Sequence, residues 1–210
     1  KPSDVVSDFD AALNKCMNTR RLVVTGFSLE IADEGEAYFE TFTKCCELAK
    51  AAKIVTLTVP ASEHGTPFNE EVERYKRLVK IAEAHGVRVA MRSAIDTLGA
   101  DIDTVSVICG HVKGLGLSID PSHLHYEHET PPDHERLIQY VHNVYLRDST
   151  PTDLQVRVGQ GIIDFGKLIN QLRKVKYNRA LCVDIQPQDD VDHDGELRKM
   201  RLLLESLVVL

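Results

Sequence analysis

Two hydrophobic periods take turns along this chain, and no other feature restricts its fold so strongly. Phe9, Ala12, Leu13, Cys16 and Met17 recur at helical spacing, and the apolar run 22–27 then reads as a strand. Phe39, Phe42, Cys46 and Ala49 mark the next helix, followed by the run 54–59 with Pro60 as its stop. Val72, Tyr75, Leu78, Val79 and Ala82 form a third helical stripe, closed by Gly86 where a C-terminal glycine belongs. The exchange continues through strands at 87–91, 115–119, 143–146 and 180–185. Between and after them lie stripes through Ile102–Val112, Leu137–Val141, Phe165–Leu172 and Leu197–Leu207. Seven helices and six strands are expected, and several strands are apolar throughout, as when helices cover both faces of a parallel sheet.

Strict alternation of this kind admits a doubly wound open sheet or a (β/α) barrel. A doubly wound nucleotide-binding sheet needs a glycine-rich turn after its first strand, and Phe27-Ser28-Leu29-Glu30 is not one. Ionisable residues gather instead just beyond the C-terminal ends of many strands: Glu63 and His64, Arg92, Asp120 and His123, Asp148, and Asp184. A barrel builds its site on that face from several strands at once. The expected fold is therefore an α/β (β/α)8 TIM barrel, one domain over residues 1–210.

Composition narrows the partners. The formal charge of −7 speaks against a nucleic acid, which is held by neutralising its phosphates. No uninterrupted apolar run approaches the roughly 20 residues that span a bilayer, so no membrane partner is expected. Five Cys, an odd number without a CxxC pair, read as free thiols of a reducing, cytoplasmic compartment.

Four segments carry a resemblance: Val89-Ala90-Met91-Arg92, Ser118-Ile119-Asp120-Pro121-Ser122-His123, Val144-Tyr145-Leu146-Arg147-Asp148, and Leu181-Cys182-Val183-Asp184. Between the last two, Arg157-Val158-Gly159-Gln160-Gly161 precedes a helix. In this order the segments resemble the xylose isomerase-like TIM-barrel superfamily. That group holds sugar and sugar-phosphate isomerases and epimerases, and endonuclease IV-type DNA repair enzymes. The resemblance implies that the four strands end in Glu, Asp, His and Glu around one divalent metal (Mn, Zn, Co or Mg). The metal polarises the sugar while carboxylates move a proton between neighbouring carbons.

Position by position, the resemblance implies Asp120 and Asp184 as catalytic and metal-binding carboxylates and His123 as their substrate-facing companion. Arg92 stands where the first Glu belongs, and Tyr145 where the ligand His belongs. An Arg cannot ligate a cation, so the expectation is a degenerate metal site in which Arg92 replaces metal charge. A rearranged site drawing on His64, His123, His125 or Asp148 would suit Zn or Mn. Arg92, Tyr145, Arg157 and His64 are the expected substrate-binding residues, with a small carbohydrate as ligand. Measured against the family, the first two strands of the barrel are lacking in this chain. A preceding segment, or another chain in a homo-oligomer, would close the gap.

The residues also carry plainer readings. Asp120-Pro121-Ser122 is a capped turn as well as a site. His125 and His128 read as a solvated loop, the acidic stretch 189–194 likewise, Arg147–Asp148 as a local ion pair, and Cys182 as an inert thiol inside the sheet. The amides of Gly159 and Gly161 either cradle an anion or make a plain turn. Three functions remain: a sugar isomerase or epimerase, a non-catalytic carbohydrate-binding or scaffold protein on the same barrel, and, less supported by the charge, an endonuclease IV-like enzyme.

Overall fold

The structure, a computed structural model, describes residues 1–130 and 132–209. Its elements in chain order are α1 (Pro2–Ser7), α2 (Phe9–Met17), β1 (Gly26–Ser28), α3 (Gly35–Ala51), β2 (Thr56–Pro60), α4 (Phe68–Ala84) and β3 (Arg88–Arg92). They continue with α5 (Ile102–His111), β4 (Gly116–Ile119), α6 (Pro121–His125), a 3-10 turn at Glu135–Tyr140, β5 (Val141–Leu146), α7 (Phe165–Lys174), β6 (Leu181–Val183) and α8 (His193–Val209). No helix among the described residues is long and apolar enough to cross a membrane.

All six strands run parallel, and their order in the sheet is their order in the chain. A doubly wound sheet would reverse its order at a switch point; a sequential order belongs to a barrel wall. Curvature gives independent proof. Strands two apart in a flat sheet stand roughly 9.5 Å from one another. Yet Thr58 Oγ1 of β2 and Ser118 Oγ of β4 are 2.6 Å apart, reaching past β3. The sheet therefore bends into a barrel wall with these hydroxyls inside it. Six of the eight strands of a closed (β/α)8 barrel are present among the described residues, and β1 and β6 each pair on one side only.

The apolar strands explain the core. Leu57, Leu117, Ile119, Val144 and Leu146 are fully buried between sheet and helices, and Phe42, Tyr75, Leu78 and Ile108 face them from the helices. The α4 helix ends as its sequence predicts: His85 caps it and Gly86 takes a left-handed φ of 71°. Glu71 of α4 is buried, accepts from the Ser62 amide (2.9 Å) and hydroxyl (2.7 Å), and is paired with Arg74 at 2.7 Å. This ties the loop after β2, which carries His64, to the helix behind it.

Four elements depart from the sequence expectation. The first strand begins at Gly26 rather than Leu22, because ladder pairing starts only where Gly26 meets Thr56. Leu22 and Val23 are left 78% and 83% exposed. The helix expected at 137–141 is the 3-10 turn, and α1 and α6 are short helices that the periodicity did not announce. Each opens on a proline at its first turn, where the missing N–H costs nothing.

Candidate functional site

The ends of β3, β4, β5 and β6 bring Arg92, Asp120, Tyr145 and Asp184 to one mouth, as parallel register requires, but in two groups with different chemistry. In the first, Arg92 Nη2 lies 3.4 Å from Asp184 Oδ2, both side chains 23% exposed. The guanidinium also sits over the Tyr145 ring, 5.1 Å from its centre. Arg92 Nε is buried with no hydrogen-bond partner. This group is sheltered and its ion pair is long, while Asp184 Oδ1 also accepts from Gln186 Nε2 at 2.9 Å.

The second group is closed. Asp120 is 0% exposed, and its backbone N–H donates to Ser93 Oγ at 2.7 Å. Oδ1 accepts from the Ser122 amide (3.1 Å) and hydroxyl (2.5 Å), capping α6. Oδ2 accepts from Arg147 Nη2 at 2.7 Å, and Arg147 Nε donates to Ser122 Oγ at 2.9 Å. His123 completes the cluster: its Nδ1 accepts from the Ile95 amide at 3.1 Å, while Arg147 Nη2 stands 2.9 Å from Nε2. A neutral imidazole accepts at one nitrogen only, so the two donors compete for it, and both oppose a doubly protonated ring. Burial, first of all, pushes the His123 pKa below its ordinary value; Asp120 pulls it back up, and Arg147 and Arg92 push it further down. The ring is neutral at physiological pH.

A divalent metal does not fit these residues. Both Asp120 oxygens are already engaged, Arg147 supplies the cation they need, and Arg92 adds a second positive charge at the mouth. Among the described residues no three His, Cys, Asp or Glu stand together as a ligand set. The cation that faces Asp120 is Arg147, while Arg92 faces Asp184.

The remaining expected residues lie apart. His64 is exposed on the loop after β2, where its amide donates to Asp96 O at 3.2 Å. Arg157 is exposed too, with Nη2 3.4 Å from the carbonyl of Asp190. The Gly159 and Gly161 amides do cradle an anion, and that anion is the protein's own: both donate to Asp148 Oδ2, at 2.8 and 3.0 Å. A methyl group on Gly161 would collide with the Asp148 carboxylate. Arg147 and Asp148 are therefore not a local pair, since neighbours on an extended chain point opposite ways. His125 is buried rather than solvated, whereas His128 and the carboxylates of the acidic stretch are exposed as expected, Asp192 Oδ1 also accepting from the Gly195 amide at 3.0 Å. Cys182 lies half-buried on the edge strand β6. The capped turn at Asp120-Pro121-Ser122 is present, whereas sequence reading passed over Ser93 and took Arg147 for a local ion pair, although the alternation of side chains past the end of β5 held the signal for Arg147.

The arrangement agrees with known folds. A family model described as xylose isomerase-like TIM barrel matches residues 6–205. No curated protein matches the sequence. Among solved structures, a xylose isomerase domain protein from Planctomyces limnophilus shares 16% identity at a TM-score of 0.76, covering 99% of this chain and 83% of its own. A D-tagatose 3-epimerase-like protein gives 16% identity and a TM-score of 0.71, covering 99% and 86%. The IolI protein, solved with a bound zinc atom, gives 14% and 0.73, covering 98% and 84%. At such identities these structures speak for the fold. Sequential parallel strands, a site at their C-terminal ends and a family match over nearly the whole length agree: the chain belongs to the xylose isomerase-like TIM barrel family.

Proposed function

We propose that this protein takes a small carbohydrate, free or phosphorylated, at the mouth formed by Arg92, Tyr145, Asp184 and His123, and interconverts it as an isomerase or epimerase without a metal. One observation carries the reading: an Arg–carboxylate pair held only at 3.4 Å, against an aromatic ring, with Arg92 Nε sheltered and unpartnered. Sugars present both a polar edge and an apolar face, which such a pair and ring match. In this chemistry a base removes the proton from the carbon beside a carbonyl, and its return to the other face or the neighbouring carbon gives the product. Asp184 is the base within reach of the open mouth. Arg92 holds the oxygen on which negative charge develops, the part a metal plays elsewhere in the family. His123 lines the mouth with both ring nitrogens already facing donors, the Ile95 amide and Arg147. Asp120, locked by Arg147 and Ser122, positions His123 rather than touching the substrate. Five free thiols support a reducing, cytoplasmic setting for the protein.

A second reading, sugar binding without turnover, draws on the same lock, which removes one of the family's two carboxylates from the mouth. Deuterium exchange separates the two. Aldoses, ketoses and their phosphates are incubated with protein in D2O containing EDTA, and exchange beside the carbonyl is followed by NMR. Exchange that persists in EDTA and stops in Asp184→Asn supports catalysis. Calorimetric binding without exchange supports the second reading, and no binding of any sugar removes both.

A further inference from the structure

Away from the mouth, α6, the loop at 132–134 and the start of α7 enclose a cavity of about 160 Å³. Two histidines line it, His125 at 4% and His134 at 7% exposure. None of their four ring nitrogens has a hydrogen-bond partner. Their ring centres are 5.5 Å apart with the planes inclined by 44°. Nothing in the chemistry proposed for the mouth uses them.

We propose that His125 and His134 form a second site that binds a borderline divalent transition metal, Zn²⁺ in the first place, through two imidazole nitrogens. Buried polar groups without partners are rare enough to demand an explanation, and four on two facing rings share one. Two imidazoles on a tetrahedral Zn²⁺, each bound at about 2.0–2.1 Å, place their ring centres roughly 5–5.5 Å apart. The observed spacing already meets that requirement.

Neutral imidazole is the ligand form, and burial supplies it. Desolvation holds His125 down at about 4, with further pressure from His134, His128 and Lys167. His134 is also lowered by burial, against a rise from the Pro132 carbonyl beside it. Lys167 lines the same cavity, and its ammonium is drawn to Asp133 at 3.8 Å. Asp164 also lines the cavity, its Oδ1 accepting from the Lys167 amide at 2.8 Å, and no three His, Cys, Asp or Glu form a ligand set among the described residues, which leaves the other coordination positions to water.

The test uses the whole chain, stripped with chelator and titrated with Zn²⁺ by calorimetry and with Co²⁺ by visible absorption. One equivalent of Zn²⁺, tetrahedral Co²⁺ bands, and loss of both in His125→Ala and His134→Ala are expected, while Asp184→Asn keeps the isotherm. In case either alanine variant fails to fold, imidazole ¹H–¹⁵N spectra of the unmodified protein serve independently. Zn²⁺ should shift two of the nine histidines. A flat isotherm, binding that survives both variants, zinc shifts on other histidines, or uptake of inorganic phosphate in place of Zn²⁺ would each overturn the proposal. Sugar exchange at the mouth is measured separately, so failure of one site leaves the other standing.

Discussion

Two Asp–Arg pairs sit at the same end of the barrel and behave as different devices. Asp120–Arg147 is closed at 2.7 Å with every oxygen engaged and both side chains at or below 9% exposure. Arg92–Asp184 is stretched to 3.4 Å at 23% exposure, with guanidinium capacity to spare. Identical functional groups thus serve as structure in one place and as a candidate receptor in the other. The deciding variables are solvent and the number of hydrogen bonds already spent. A buried pair is intolerant of losing one partner, whereas an exposed pair adds little stability and remains free for a ligand.

The sharpest way to break this contrast is Arg147→Met, which strands a buried carboxylate. Urea unfolding should show a loss of about 3–5 kcal/mol, and adding Asp120→Asn should recover part of it. A loss no larger than that of a surface pair would mean that Asp120 is hydrated and the lock is not one. Gly161→Ala comes next. The added methyl meets the Asp148 carboxylate and the Ser149 carbonyl, costing roughly 1–3 kcal/mol by the same assay.

Acid should separate the regions as well. His123 and His134 are lowered by burial, and His125 and His142 fall from 6.5 to about 4, again chiefly by burial. Below pH 6.5 the unfolded chain takes protons that the folded chain refuses, so stability must fall as pH drops from about 6.5 toward about 4. Denaturant midpoints measured across that window should decline, and a level profile would contradict the burial of these rings. The smallest expected stability effect belongs to Arg92→Met and Asp184→Asn, under about 1 kcal/mol each. There the readout is the ligand: both variants should lose sugar binding or exchange while their melting curves stay close to that of the unmodified protein.

The wall of the barrel was legible because β2, β3 and β4 are almost wholly buried runs followed by ionisable residues, whereas β5 carries His142 and Asn143 and was read only from 143. At the start of the chain the same logic overreached. Residues 22–25 look like strand, yet an edge offers them no ladder partner, and pairing rather than propensity fixes where β1 begins. In the site, convergence of Arg92, Tyr145 and Asp184 follows from strand ends alone. The choice of Arg147 as partner to Asp120 does not, because it depends on which way the chain faces one residue beyond β5. The turn at Gly159 and Gly161 advertised an anion, but the sequence cannot say that the anion is Asp148, 11 residues upstream of Gly159.

The hydroxyl contact between Thr58 and Ser118 has a consequence for everything above it. A cylinder closed by its own hydrogen bonds has its diameter set by strand number and shear; a wall with two free margins has no such governor. Here the bend is fixed from within, by a short brace under the rim. How far apart Arg92 and Asp184 stand is therefore tied to a pair of small side chains, of which Ser118 is the register partner of Arg92 across β3 and β4.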